Sequence, residues 1–188
     1  MNRKRLGMAI VLAGVAAACG QGRIIFNVDA YSFLKGSVKD TVSYVAPPGN
    51  FTPPDRGAQK ITLAPGLGSS AIDTVKVSGS FDVLNQTGGP GTMTFQVYLA
   101  SDSAGTYTAG RDSMFSPACS GSVAAGVSTQ SLPCAAPNLS PSGNALFSKS
   151  AVWVRIAATV SNSGAVLMQG KAVLTALDLH VVVKDKLF

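Results

Sequence analysis

The segment 75–100, VKVSGSFDVLNQTGGPGTMTFQVYLA, decides the fold class of this chain because apolar and polar residues alternate along most of it. The apolar positions before the turn are Val75, Val77, Phe81 and Val83, separated by Lys76, Ser78, Ser80 and Asp82, and those after it are Met93, Phe95, Val97 and Leu99, separated by Thr94, Gln96 and Tyr98. A period of two predicts strands that bury one face. Residues 85–90, NQTGGP, are typical of a turn, so we expect an antiparallel hairpin.

Five further segments predict strands, at 23–31, 38–45, 60–63, 152–160 and 170–184. The residues expected to face inward in the last two are Val152, Val154, Ile156, Ala158 and Val160, and then Val173, Leu177, Leu179, Val181 and Val183. Strands separated by Gly, Pro and Ser turns predict an all-β fold, an antiparallel β-sandwich with an immunoglobulin-like outline. The alternative is a small closed β-barrel.

Prolines and glycines predict two loops. Segment 45–56 holds Pro47, Pro48, Pro53 and Pro54, and proline cannot donate to the hydrogen-bond ladder of a central strand. Segment 101–150 is repeatedly interrupted by Gly and Pro, and one or two short strands, for example around 122–127, fit within it. A single turn near 144–148 is the one helical feature expected after the N-terminal segment.

Segment 77–102 resembles the immunoglobulin-like adhesion and interaction domains found outside bacterial cells. In those domains a strand ends in Asn and a Gly-containing turn, as at Asn85–Gly89 here, and the return strand carries an aliphatic-Tyr-Leu pattern, as at Val97–Leu99. The resemblance implies a sandwich fold and brings no catalytic residues.

The first twenty residues, MNRKRLGMAIVLAGVAAACG, have the layout of an export signal. Arg3, Lys4 and Arg5 precede the apolar stretch 6–15, which is too short to span a bilayer, and three alanines lead into Cys19. This layout resembles the lipobox of bacterial lipoproteins, in which the cysteine is lipidated and becomes the first residue of the mature chain. Leu is commonest in that family where this chain has Ala16, and ordinary secretion with cleavage nearby is the alternative.

We therefore expect a lipoprotein signal peptide at 1–18, an acylated tether at 19–22, and a single sandwich domain over 23–188. No Asp follows Cys19, because Gly20 and Gln21 occupy the next positions, which looks like the enterobacterial pattern that permits passage to the outer membrane. The expected location is the bacterial cell envelope, lipid-anchored, on the outer membrane or cell surface rather than the inner membrane.

The charge of the chain gives little support to nucleic-acid binding. Removal of the three cations of the signal lowers the formal net charge from +6 to +3, and every acidic residue is Asp. Charged residues make up only 13% of the chain, and the part after the signal has no basic run and no aromatic residues interleaved with basic ones.

The two remaining cysteines, Cys119 and Cys134, predict a disulfide. They flank SGSVAAGVSTQSLP, and in an oxidising envelope an isolated pair at this spacing is most simply bridged. A loop of this length is stabilised by roughly 3 kcal/mol in the chain-entropy model. We expect the bridge to staple the long loop at 101–150.

The residues of catalytic chemistry are scarce. His180 is the only histidine, and Asp178, two residues away on the same strand face, makes the one pair of interest for acid–base work; solvated side chains are the simpler interpretation. Segment 66–70, GLGSS, lacks a following helix that would bind phosphate. No motif of a hydrolase, nucleotide-binding protein or zinc protease occurs, so we expect no enzyme and no catalytic residue, cofactor or metal site.

Two groups of residues on the strands and loops suggest binding sites for a metal ion and for a sugar. Asp102 and Asp112 in the long loop have oxygen ligands suited to calcium, but not the spacing of an EF-hand, and Asp in such a loop is ordinarily a turn former. Tyr31, Tyr98 and Trp153 would form a face for stacking sugars if neighbouring strands align them. The alternative is that Trp153 is in the core, since a register shift of one residue reverses every side chain.

The favoured function is an envelope-anchored lipoprotein that acts as a non-enzymatic structural or accessory interaction module. It would bind another envelope protein or the cell-wall layer through edge strands and the stapled loop. A carbohydrate-binding or adhesin-like surface module is the first alternative, and an envelope hydrolase or metal-dependent enzyme is the remote one.

Overall fold

A computed structural model of the chain describes residues 23–36, 39–63, 71–115, 118–136 and 138–184. The described strands belong to two antiparallel sheets rather than to one closed sheet, which confirms the predicted all-β sandwich. The core lies between the sheets, where the inward positions of the long strands are almost fully buried.

Eleven strands and two short helices make up the described part of the chain, in the order β1 (Arg23–Asp29), α1 (Ala30–Gly36), β2 (Thr41–Ala46), β3 (Gly49–Phe51), β4 (Gln59–Thr62), β5 (Ala71–Gly88), β6 (Gly91–Ala100), β7 (Asp112–Ser113), β8 (Cys119–Val123), β9 (Ser128–Ala136), α2 (Pro141–Leu146), β10 (Ala151–Asn162) and β11 (Met168–Lys184). A 3₁₀ turn at Ala104–Tyr107 follows β6. Neither of the described helices has the length or the apolar character that crossing a bilayer demands.

Each sheet is built around two long central strands. In the first sheet β11 and β5 pair with each other, β9 forms one edge beside β5, and β1 and β2 lie end to end along the other side of β11. In the second sheet β10 pairs with β6, β3 and β4 lie end to end beside β10, and β7 and β8 lie beside β6.

The predicted hairpin between the two runs of segment 75–100 is wrong. The first run, in β5, belongs to the first sheet and the second run, in β6, belongs to the second, so the chain crosses between sheets at residues 89–90. The expected inward side chains of both runs are nevertheless buried. Alternation specifies which face of a strand is buried, but it does not specify the strand's partner. Two such strands can lie in opposite sheets with their buried faces in contact, or they can pair within one sheet.

The predicted loops contain more regular structure than expected. Segment 45–56 includes β3, and segment 101–150 includes β7, β8, β9 and α2. Helix α1 was not predicted, because seven residues are too few to reveal a helical period. Its start is capped by Asp29, whose Oδ1 accepts a hydrogen bond from the Ser32 amide at 3.1 Å, in place of the strand predicted to continue to residue 31.

One inward position predicted on β11 is also wrong. The register against β5 shifts between Leu174 and Ala176, and the buried positions change phase there, from Ala172 and Leu174 before the shift to Leu177 after it. Val173 therefore lies on the outer face. A β-bulge of this kind adds a single residue, so the alternation that holds after the bulge does not extend back to Val173.

A disulfide joins Cys119 and Cys134, whose Cα atoms are 5.3 Å apart. Both cysteines are buried, Cys119 on β8 of the second sheet and Cys134 on β9 of the first. The pair was predicted correctly, but the expected role was not, because the bridge connects edge strands of two sheets instead of stapling an irregular loop.

Candidate functional site

The aromatic residues predicted to form a stacking face do not share one surface. Tyr98 and Trp153 face outward on neighbouring strands of the second sheet, whereas Tyr31 lies on α1 and packs against the core. Trp153 is half-buried between the inward residues Val152 and Val154, so the alternative of a shifted register with Trp153 in the core is wrong.

Two arginines make cation–π contacts with the ring of Tyr98. The guanidinium carbon of Arg111 lies 3.7 Å from the ring centroid and that of Arg155 lies 4.8 Å from it. Cation–π contacts of this kind compete with a sugar for the face of the ring. The outer face of the second sheet is thus poorly suited to the stacking that the sequence suggested.

Arg155 holds two loops over this face. Its Nε and Nη2 donate to the carbonyl of Thr106 at 3.1 and 3.0 Å, its Nη1 lies 2.7 Å from the carboxylate of Asp55, and only 7% of the residue is exposed. Tyr107 completes the cluster, and desolvation together with the Asp55 carboxylate raises the pKa of its phenol. Because the buried guanidinium already has these partners, Arg155 stabilises the two loops and is not available to bind a ligand.

The two aspartates considered for calcium serve local structure instead. Asp102 Oδ1 accepts a hydrogen bond from the Gly105 amide at 2.7 Å, and Asp112 Oδ1 accepts bonds from the hydroxyls of Ser140 and Ser142 at 2.6 and 2.7 Å. Within the described ranges no three residues among His, Cys, Asp and Glu are grouped as a metal would require.

A groove with polar and apolar lining residues surrounds His180 on the outer face of the first sheet. Its cavity volume is about 650 Å³, and it is lined by Asn27, Lys76, Val77, Ser78, Asn138, Asp178, Leu179 and His180. His180 Nδ1 donates to Asn27 Oδ1 at 2.9 Å, so the partner of the imidazole is an amide and not a carboxylate. The predicted Asp178–His180 pair shares the groove, without a hydrogen bond between the two side chains in the described structure.

A second feature, which we call the loop end, consists of the loops 47–48, 89–90, 124–127 and 163–167. These loops connect β2 to β3, β5 to β6, β8 to β9 and β10 to β11. The pairing registers bring them to the same end of the sandwich, since Asn162 lies opposite Gly49 and Gly91, and Met168 lies opposite Ala46 and Gly88. Each of the four loops carries the chain from one sheet to the other.

Two buried asparagines fasten the loop end. Asn162 of the second sheet donates from Nδ2 to the carbonyls of Ala46 and Val166, both at 2.9 Å, and its Oδ1 accepts from the Gly164 amide. Asn85 of the first sheet donates from Nδ2 to Gly89 and Ala124 carbonyls at 3.1 and 3.0 Å. Asn85 thus fastens two of the four loops, and Asn162 fastens loop 163–167 to the last residue of β2, next to loop 47–48.

The loop end was not predicted from the sequence, although the sequence contains a signal for it. Asn85 and Asn162 occupy inward positions of alternating strands, directly before Gly-containing turns. A polar residue at an inward position must find hydrogen-bond partners, and the carbonyls of adjacent loops are the nearest ones.

The loop end is apolar and uncharged. Its four loops contain no Asp, Glu, Lys or Arg, and no aromatic residue. Val127 is 87% exposed and Val166 is 55% exposed, with Leu167 and the adjacent Val45 also projecting into solvent. Exposed apolar residues grouped at one end of a domain are typical of an interaction surface.

The opposite end of the sandwich, which we call the terminal end, is charged and is the end at which the described residues begin and finish. β1 begins at Arg23 beside Lys184, the last residue of β11, and Asp73 forms ion pairs with both, at 3.8 and 2.7 Å. β11 runs from the loop end to this terminal end over 17 residues, a length of about 50 Å. Cys19, the expected lipidation site, and the segment 66–70 lie outside the described residues.

Comparison with known proteins gives no family. No family model matches the chain, and no curated protein matches it. Two solved structures of infectious bursal disease virus contain similar chains: for the Gx strain the TM-score is 0.39 and the identity 13%, over 94% of this chain and 39% of the viral one, and for the Gt strain the values are 0.35 and 13%, over 92% and 43%. The chain therefore spans about two fifths of the length of these viral chains.

Proposed function

We propose that this protein is a non-enzymatic interaction module of a bacterial cell envelope, lipid-anchored through Cys19, and that its loop end docks on another envelope protein. The observation that carries the proposal is the difference between the two ends of the sandwich: the loop end is uncharged and apolar, and the terminal end opposite it is charged.

This difference between the two ends is suited to a protein that is anchored to a membrane at one end. Cys19 precedes Arg23 by four residues, and Arg23 lies at the terminal end. An acyl anchor on Cys19 would hold that end near the membrane, where the loop end would point away from the lipid at a distance of about 50 Å. A docking surface at the far end is the one best placed to reach a partner.

The composition of the loop end favours a protein partner over a lipid surface. Membrane-surface segments rely on Lys, Arg, Trp and Tyr, and the four loops have none of these residues. Their fastening by Asn85 and Asn162 also reduces the conformational entropy that binding would remove. A rigid, apolar and uncharged surface matches an apolar patch on another folded protein.

The anchor is tested by Cys19→Ser. We expect this change to abolish acylation and to move the protein from the membrane fraction to the soluble or secreted fraction, with Ser122→Ala as a control that leaves the anchor intact. Retention of the Ser variant in the membrane fraction after a carbonate wash would contradict a lipid anchor.

The docking surface is tested by placing a charge on it. Val127→Asp and Val166→Asp each introduce a carboxylate at an exposed position and should leave the fold intact, and we expect both to lose crosslinks to the envelope partner in intact cells. Ile25→Asp, at an exposed apolar residue near the terminal end, is the matched control and should keep those crosslinks. Equal crosslinking by all three variants would place the interaction elsewhere.

A further inference from the structure

The groove around His180 is built from two rows of outward side chains on three adjacent strands. Pairing across β1, β11 and β5 places Asn27, His180 and Lys76 in one row and Asp29, Asp178 and Ser78 in the next. The rows are two residues apart along β11, a separation of about 7 Å. A cation therefore lies in one row and carboxylates lie in the other.

The charges that face the groove are unpaired. Neither the Lys76 ammonium nor the Asp178 carboxylate has an ion-pair or hydrogen-bond partner in the described part of the chain, whereas Arg23, Asp73 and Lys184 on the same sheet are joined in ion pairs. The carboxylate of Asp29 is used to cap α1. One positive and one negative group are thus available to a ligand.

Besides the aliphatic residues Val77 and Leu179, the groove contains neutral hydrogen-bonding groups. The hydroxyl of Ser78 and the amide of Asn138 line it, and Asn27 uses its Oδ1 for His180 while its amide nitrogen has no partner in the described structure. None of the lining residues is Phe, Tyr or Trp, so the groove lacks the large aromatic side chains on which sugars usually stack. The volume of about 650 Å³ is within the range of small-ligand sites, about 300–1,000 Å³.

We propose that this groove binds a small zwitterion of dipeptide size, with the carboxylate of the ligand at Lys76 and its ammonium at Asp178. The two rows are about 7 Å apart along the strands, which is similar to the distance between the charged ends of an extended dipeptide. Asn27, Ser78 and Asn138 supply hydrogen bonds to the amide between those ends. This site is independent of the loop end and of the lipid anchor.

The test is titration of the full chain in detergent with L-alanyl-L-alanine, monitored by NMR at His180 and Asn27. N-acetylated and C-amidated forms of the same dipeptide remove the positive and the negative end in turn. We expect saturable shifts with the free dipeptide and at least about tenfold weaker binding of each blocked form, the loss of one charge-assisted hydrogen bond. Equal binding of free and blocked forms, or no saturable shift up to the solubility limit, would overturn the proposal.

Two variants test which charged residue of the groove binds each end of the dipeptide. Lys76→Gln should bind the free and the C-amidated dipeptide equally weakly, and Asp178→Asn should bind the free and the N-acetylated dipeptide equally weakly. Lys171→Gln, at an exposed cation elsewhere on β11, is the matched control and should bind as the unmodified chain does. If Lys76→Gln and Asp178→Asn keep the full discrimination against blocked forms, the assignment of the two ends is wrong and the proposal fails.

Discussion

The rings of Phe81 and Phe95 stack across the core with their centroids 4.0 Å apart and their planes inclined by only 5°. Phe81 comes from β5 of the first sheet and Phe95 from β6 of the second, and both are fully buried. The two strands that the sequence suggested as hairpin neighbours thus meet face to face through their side chains.

Replacement of Phe95 tests the importance of this contact. Phe95→Ala removes a buried ring and one half of the stacked pair, and we expect it to lower the free energy of unfolding by about 3–5 kcal/mol. Chemical denaturation of the variant measures the loss. Thr92→Ala, at an exposed position of the same strand, should change stability by less than about 0.5 kcal/mol, and an equal loss in both variants would contradict the assignment.

The disulfide should stabilise one edge of the sandwich. Because Cys119 and Cys134 join β8 to β9, we expect the double change to Ala to cost about 3 kcal/mol and to speed hydrogen exchange mainly in those two strands. The matched control, Ser122→Ala with Ser131→Ala, alters exposed residues of the same strands. Faster exchange throughout β10 and β11 would instead make the bridge essential to the whole core.

Asn162 should govern the order of the loop end. Asn162→Ala leaves the carbonyls of Ala46 and Val166 without their donor, so we expect a cost of about 1–3 kcal/mol and faster hydrogen exchange at residues 164–168. Asn50→Ala, an exposed asparagine on β3, is the control and should leave exchange unchanged. Unchanged exchange in the Asn162 variant would mean that the loops are held by other contacts.

Tyr44 should make stability fall at alkaline pH. Burial raises the pKa of this phenol to about 12 in the folded chain, against 10.0 for an ordinary tyrosine, and its hydroxyl donates to the Leu84 carbonyl at 3.1 Å. The unfolded chain therefore loses this proton first, and the stabilisation is complete below pH 10 and declines, by up to about 2 kcal/mol, as the pH rises towards 12.

Denaturation at several alkaline pH values measures this decline, with Tyr44→Phe as the comparison. The variant lacks the titrating hydroxyl and should lose less stability between pH 10 and 12 than the unmodified chain. Parallel curves for the two proteins would show that Tyr44 does not titrate differently on folding.

The candidate sites were only partly predictable from sequence. The pair Asp178 and His180 was recognised, but the partner of His180 is Asn27, which precedes it by more than 150 residues and becomes its neighbour only through pairing of β1 with β11. The prediction of a stacking face was wrong for a related reason. The arginines that contact the ring of Tyr98 come from a loop and from a neighbouring strand, which the sequence does not place beside it.

The sequence by itself determined several local features of this protein: the positions of the long strands, the buried face of each over most of its length, and the pairing of Cys119 with Cys134. These follow from period-two alternation and residue chemistry, which act over a few residues. Tertiary structure alone decided that β5 and β6 face each other across the core, that β11 changes phase at a bulge, and that Asn85 and Asn162 fasten the loop end. The physical reason is that strand partners and buried hydrogen bonds are chosen among groups distant in sequence, by the competition of whole sheets to bury their apolar faces.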